Sequence, residues 1–122
     1  MQSFISTPFY VFNSKYDSWQ LANILQTNWQ TKAEQDAVLQ YGLDFLKQFS
    51  PIQQEAPNGA FITSCICHGC PWPTLVVDGK TPYGHYAAWH NGLIVHPESI
   101  LIDSRGPNGN GAITDKQCSK FP

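Results

Sequence analysis

Two short apolar runs with one long helical stretch between them set the tightest limit on what this chain folds into. Phe9-Tyr10-Val11-Phe12 is a run of β-forming residues bounded by Pro8 and Asn13, and Ala60-Phe61-Ile62-Thr63-Ser64 is a second run after Asn58-Gly59. Between them Thr31-Lys32-Ala33-Glu34 is a capping box, in which the Thr31 hydroxyl accepts the Glu34 amide and the carboxylate reaches back to the cap amide. Ala37, Val38, Tyr41, Phe45, Leu46 and Phe49 follow at steps of three and four, so the spacing predicts a helix over about 31–49 with one apolar stripe. Ser50-Pro51 ends it, because the residue before a proline is pushed out of helical geometry. Strand, helix, strand is the grammar of an α/β sheet, and turn chemistry follows each strand.

The first turn region is 13–20, where Asn13 to Ser18 reads as a loop and Trp19, Leu21, Ala22, Ile24 and Leu25 read as a short helix or an irregular packed segment. The second is the cysteine-rich loop 65–73. Beyond it Thr81 to Trp89 reads as another short helix, Leu93-Ile94-Val95 and Ile100-Leu101-Ile102 are brief apolar runs, and Arg105 to Gly111 is a loop within a tail over 103–122.

Composition narrows the function classes. With 122 residues there is room for one domain of ordinary size. Charged residues are only 13% of the chain, too few for a coiled coil or a disordered acidic segment. Seven Lys plus Arg against nine Asp plus Glu leave no basic surplus to neutralise phosphates, which argues against nucleic acid and against polybasic membrane attraction. The apolar runs fall far short of the roughly 20 residues that cross a bilayer, so membrane insertion is not expected. The first eight residues lack the charged and apolar regions of a signal peptide, yet Cys65, Cys67, Cys70 and Cys118 are the cysteine usage of a secreted protein. The two observations agree if the start of a longer protein lies elsewhere.

Each of the two loops leaves the carboxyl end of a buried strand, where open α/β sheets collect their catalytic groups. One carries Asp17 and the other His68. Acid before histidine is the order that closes an α/β-hydrolase triad, in which the carboxylate holds one imidazole proton while the other nitrogen serves a nucleophilic serine. No serine here lies in Gly-x-Ser-x-Gly, and the 16 residues before Asp17 cannot hold a strand, elbow and helix of roughly 30 residues.

Other readings of the same residues stand beside this one. Asp17 is also a natural helix cap, and a lone histidine in a disulfide loop is usually structural. Cys65, Cys67, His68 and Cys70 crowd metal-type donors into six residues, and Cys67-His68-Gly69-Cys70 is a Cys-x-x-Cys, which raises zinc or thiol redox chemistry. The second ligand pair of a zinc knuckle is missing, so disulfides are the default, with no cofactor and no metal expected. Four cysteines allow three pairings; closeness in an extended segment disfavours Cys65 with Cys67, Cys70 with Cys118 is one pair the spacing allows, and another cysteine could take a partner upstream. Trp19, Trp72 and Trp89 read as pocket-lining or core residues, and His85 with His90 as a surface or helix-packing pair.

Asn13-Ser14-Lys15-Tyr16-Asp17-Ser18-Trp19-Gln20 resembles the acid-loop signature of the pectin acetylesterase family, whose animal relatives are the Notum-type carboxylesterases. Ala60 to His68, with Ser64-Cys65 followed by His68, is similar to that family's histidine segment, and Gly79-Lys80-Thr81, Trp89 and Asp115 to Cys118 resemble its C-terminal segments. The resemblance implies Asp17 as triad acid, His68 as general base, and a serine on an absent N-terminal part of the same domain. It further implies deacetylation of pectin, an acetylated polysaccharide, in the cell wall or another extracellular setting. On this reading residues 1–122 are the C-terminal portion of one α/β-hydrolase-like doubly wound sheet, incomplete in this chain. The alternative is a small secreted binding or structural module held by disulfides, without catalysis.

Overall fold

The computed structural model describes residues 7–26, 30–54, 57–107, 109 and 118. Among them lie β1 (Tyr10–Asp17), α1 (Ser18–Asn23), α2 (Lys32–Gln54), β2 (Gly59–Cys67), α3 (Pro82–His90) and β3 (Ile100–Ile102). The three strands form one parallel sheet in the order β1-β2-β3. A parallel pair needs a crossover, and α2 supplies the one between β1 and β2.

Alternation along the strands gives each face its own cover. Val11, Ala60, Ile62, Ile100 and Ile102 turn to Phe45, Phe49 and Ile52 of α2. Tyr10, Phe12 and Phe61 turn the other way, to Leu75, Val77 and Trp72 and to the rings of His85, Tyr86 and Trp89 on α3. Helices therefore lie on both faces, as the α/β expectation required.

α2 starts on the expected capping box, with Glu34 N donating to Thr31 Oγ1 at 3.1 Å and Thr31 N to Glu34 Oε1 at 3.3 Å. It runs past Phe49 and carries Pro51 inside its last turn. Proline removes one helical hydrogen bond, and here the extra turn sets Ile52 on the Phe49, Ala60 and Ile62 cluster, so burial offsets that loss. Gly42 lets α2 close on β1, since a Cβ there would stand 2.4 Å from the Tyr16 ring.

The segment Asn13–Asp17 also departs from expectation, being the second half of β1 and not a loop. Its polar residues belong to the sheet because of an irregularity in the ladder. Ser14 pairs with Thr63, but Tyr16 pairs with Ile66, which gives β2 one extra residue over this span. Side-chain hydroxyls satisfy the backbone groups there: Ser14 Oγ donates to the Cys65 carbonyl and accepts from Tyr16 N at 2.9 Å, and Cys65 N donates to Thr63 Oγ1 at 3.2 Å. The shift brings Asp17 opposite Cys67, one residue before His68.

Of the pairings left open by the sequence the cysteines take Cys65–Cys118 and Cys67–Cys70, not Cys70–Cys118, and no thiol is free. β2 extends through Cys67, so the two-residue turn after it returns Cys70 to within 5.1 Å, Cα to Cα, and Cys65 is left for Cys118. Of the two later apolar runs only Ile100-Leu101-Ile102 is a strand, while Leu93 and Val95 are exposed. Much of the tail lies outside the described residues.

Candidate active site

Asp17 is the last residue of β1 and the N-cap of α1. Its Oδ1 accepts the Gln20 amide at 3.0 Å, which fixes the carboxylate at the start of the helix. His68 follows the last residue of the neighbouring strand β2. Its Nδ1 lies 2.9 Å from Asp17 Oδ2 and 3.2 Å from Oδ1. Helix cap and histidine partner, posed above as alternatives, are thus held by one carboxylate at once.

The two side chains are differently exposed, 15% for Asp17 and 65% for His68. A carboxylate only accepts when ionised, so this contact puts the imidazole proton on Nδ1 and leaves Nε2 with its lone pair. No described residue bonds Nε2. The Trp19 ring sits beside the imidazole, centroid to centroid 6.4 Å, and is itself 52% exposed. Trp72 and Trp89 lie elsewhere: Trp72 packs on Phe12, and Trp89 donates to the Pro57 carbonyl at 2.9 Å.

Among the described residues the buried serines are all engaged away from His68. Ser14 serves the ladder irregularity, Ser99 Oγ donates to the Asn58 carbonyl at 2.9 Å, and Ser64 Oγ donates to Asp103 Oδ2 at 2.7 Å. Asp103 was not singled out in the sequence. It follows β3 and is buried, and it takes two side-chain bonds from Arg105, from Nε at 3.0 Å and Nη2 at 2.8 Å. Burial pushes its carboxyl up, but the bonds from Arg105 and Ser64 outweigh this and hold it below the usual range. Lys15, buried on β1, donates to the Arg105 carbonyl at 2.7 Å, and burial lowers its ammonium pKa. This network ties the segment after β3 to β1 and β2. Nothing in the local sequence signals it, since Lys15 lies among the polar residues Asn13, Ser14 and Asp17.

With every cysteine in a disulfide, the sulfur donors of a zinc knuckle are engaged, and no cluster of three metal-type side chains occurs among the described residues. A groove of about 370 Å³ runs beside β1, lined by Val11, Asn13, Gln20, Phe45, Phe49 and Ile52 among others. It reaches Gln20, whose amide bonds Asp17.

The pectinacetylesterase family model matches residues 1–78, a span that holds β1, α1, α2, β2 and both Asp17 and His68. This chain belongs to the pectinacetylesterase family. The match ends before α3, so the C-terminal resemblances noted in the sequence lie outside it. No curated protein and no solved structure matches the chain. Membership carries a carboxylesterase-type function at the level of the family, and an acetylated polysaccharide is the substrate class that the family implies.

Proposed function

We propose that Asp17 and His68 are the acid and the base of a Ser-Asp-His triad that removes acetyl groups from pectin. The observation that carries the reading is the 2.9 Å contact between His68 Nδ1 and Asp17 Oδ2, made from the carboxyl ends of two adjacent parallel strands. Asp17 holds the Nδ1 proton and orients the ring. Nε2 takes the proton of a serine hydroxyl as its oxygen attacks the acetyl carbonyl, then hands that proton to the departing sugar oxygen. Water repeats the sequence on the acyl-enzyme and releases acetate.

The serine belongs to a segment outside these 122 residues, within the same α/β-hydrolase-like domain. Two observations support an incomplete domain. β1 is at the edge of the sheet, and the groove beside it leaves Val11, Phe45, Phe49 and Ile52 lining an open surface that reaches Gln20. α2 also exposes Leu39 at 44% and Leu43 at 61%. A secreted, cell-wall setting follows from the substrate and agrees with two disulfides.

The test is acetate release from acetylated pectin by the reading frame extended upstream through a Gly-x-Ser-x-Gly segment. His68→Ala is expected to lower kcat by about a thousandfold or more, and Asp17→Ala somewhat less. An extended frame without that segment, or a His68→Ala protein of undiminished rate, overturns the proposal. Serine-dependent hydrolysis by the 122-residue chain alone overturns the incomplete-domain part of it.

A further inference from the structure

His68 sits in the smaller of the two disulfide-closed rings. Only His68 and Gly69 separate Cys67 from Cys70, and the disulfide closes them. The two ends of this turn are well held, since Cys67 is buried at the end of β2 and Cys70 packs on the cluster of Phe61, Leu75 and Val77. Its middle is not. A Cβ added at Gly69 would meet nothing within 4 Å, and the His68 side chain is mostly exposed. Packing on the turn itself therefore does not fix it, and without the disulfide only the Asp17 contact and the half-exposed Trp19 ring would restrain the imidazole.

We propose that the Cys67–Cys70 disulfide is the positioning element for His68, holding its Nδ1 on the Asp17 carboxylate so that Nε2 faces outward. Cys67 and Cys70 act through His68 and touch no reacting atom. The proposal rests on the catalytic reading of Asp17 and His68. The cross-link is matched to that task because it spans three residue steps, against 53 for Cys65–Cys118. A short ring removes little freedom from an unfolded chain but most of the freedom of the two residues inside it.

The experiment is two-bond ¹H–¹⁵N correlation of the imidazoles in the labelled chain, above the ordinary histidine range, which reports the nitrogen that carries the proton. The wild-type chain is expected to hold His68 as Nδ1–H. In Cys67→Ala/Cys70→Ala at least half of that population is expected to pass to Nε2–H, with His85 unchanged. Cys65→Ala/Cys118→Ala is expected to lower the unfolding midpoint and leave the His68 tautomer as it was. A folded Cys67→Ala/Cys70→Ala variant with His68 still on Nδ1–H overturns the proposal. So does loss of cooperative unfolding in that variant, which would make the bond a staple of the whole fold. Nε2–H in the wild-type chain defeats instead the Asp17–His68 reading, and the positioning role falls with it.

Discussion

His68 and His85 are chemically the same side chain put to opposite uses. His85, on α3, is 4% exposed and engages both ring nitrogens, Nδ1 with the Tyr10 hydroxyl and Nε2 with the Glu98 carbonyl at 2.9 Å. A carbonyl only accepts, so Nε2 carries the proton and Tyr10 donates to Nδ1. Burial is the main cause that lowers the His85 pKa, and burial likewise drives the Tyr10 hydroxyl well above its usual value. Both shifts favour the neutral form of the pair. His68 has one nitrogen on a carboxylate and the other toward solvent, an arrangement that leaves a proton acceptor available. On the proposed function, a histidine is chemically useful here through what it leaves unbonded, and conformationally useful through what it bonds.

The comparison breaks most readily at His85. Replacing it with alanine removes a buried ring and strands both the Tyr10 hydroxyl and the Glu98 carbonyl. Thermal or denaturant unfolding is expected to show a loss of about 3 kcal/mol. A loss below about 1 kcal/mol would mean that α3 does not depend on this histidine.

Acid unfolding sharpens the same point. Because the folded pKa of His85 lies below its unfolded value near 6.5, the unfolded chain binds the proton more readily. His85 therefore stabilises the fold fully above about pH 6.5, and this contribution is lost as pH falls from there through the folded pKa, at no more than about 1.4 kcal/mol per pH unit. Asp103 has its folded pKa lowered below 3.8, so its contribution is present above that value and lost as pH falls further. Two acid-linked losses, one beginning near pH 6.5 and the other near 3.8, are expected in urea midpoints measured against pH. His85→Asn should remove the upper one and spare the lower.

The sequence set His85 beside His90 as a surface or helix-packing pair, but His85 is buried and bonds Tyr10 while His90 stacks on Tyr86, and the reason for the difference is physical. Asp17 and His68 were legible because each stands at the end of a β-forming run within a short characteristic string, so local order carried the signal. His85 acquires its role from Tyr10, 75 residues away, and no local pattern encodes that contact. Asn13 to Asp17 read as a turn because Asn, Ser and Asp favour turns, but in β1 the Ser14 hydroxyl stands in for missing ladder bonds at the irregularity. Ser50-Pro51 read as a helix end since the packing of Ile52 is a tertiary effect. The disulfide pairing hinged on how far β2 extends, which the run Ala60–Ser64 understated.

A smaller effect isolates the hydroxyl at His85. Tyr10→Phe keeps the ring among Phe12, Tyr86 and Trp89 and deletes only the donor to Nδ1. The expected cost is about 1 kcal/mol, read as a shift in the unfolding midpoint. An unchanged midpoint would show that the buried Nδ1 needs no donor and would weaken the account of His85 as a group whose neutral form is favoured.

The smallest expected change in stability belongs to the residue with the largest expected role in chemistry. His68→Ala removes a mostly exposed ring whose bonds are to a carboxylate already held by the Gln20 amide, so Asp17 remains paired and α1 remains capped. The unfolding free energy is expected to change by no more than about 0.5 kcal/mol. Surface ion pairs are worth little because solvent screens them and their side chains must be ordered to meet, and the His68 contact is half of that kind. A loss of about 2 kcal/mol or more would mean that the Asp17–His68 contact holds strand ends together as His85 holds α3, and the division of labour between the two histidines would fail.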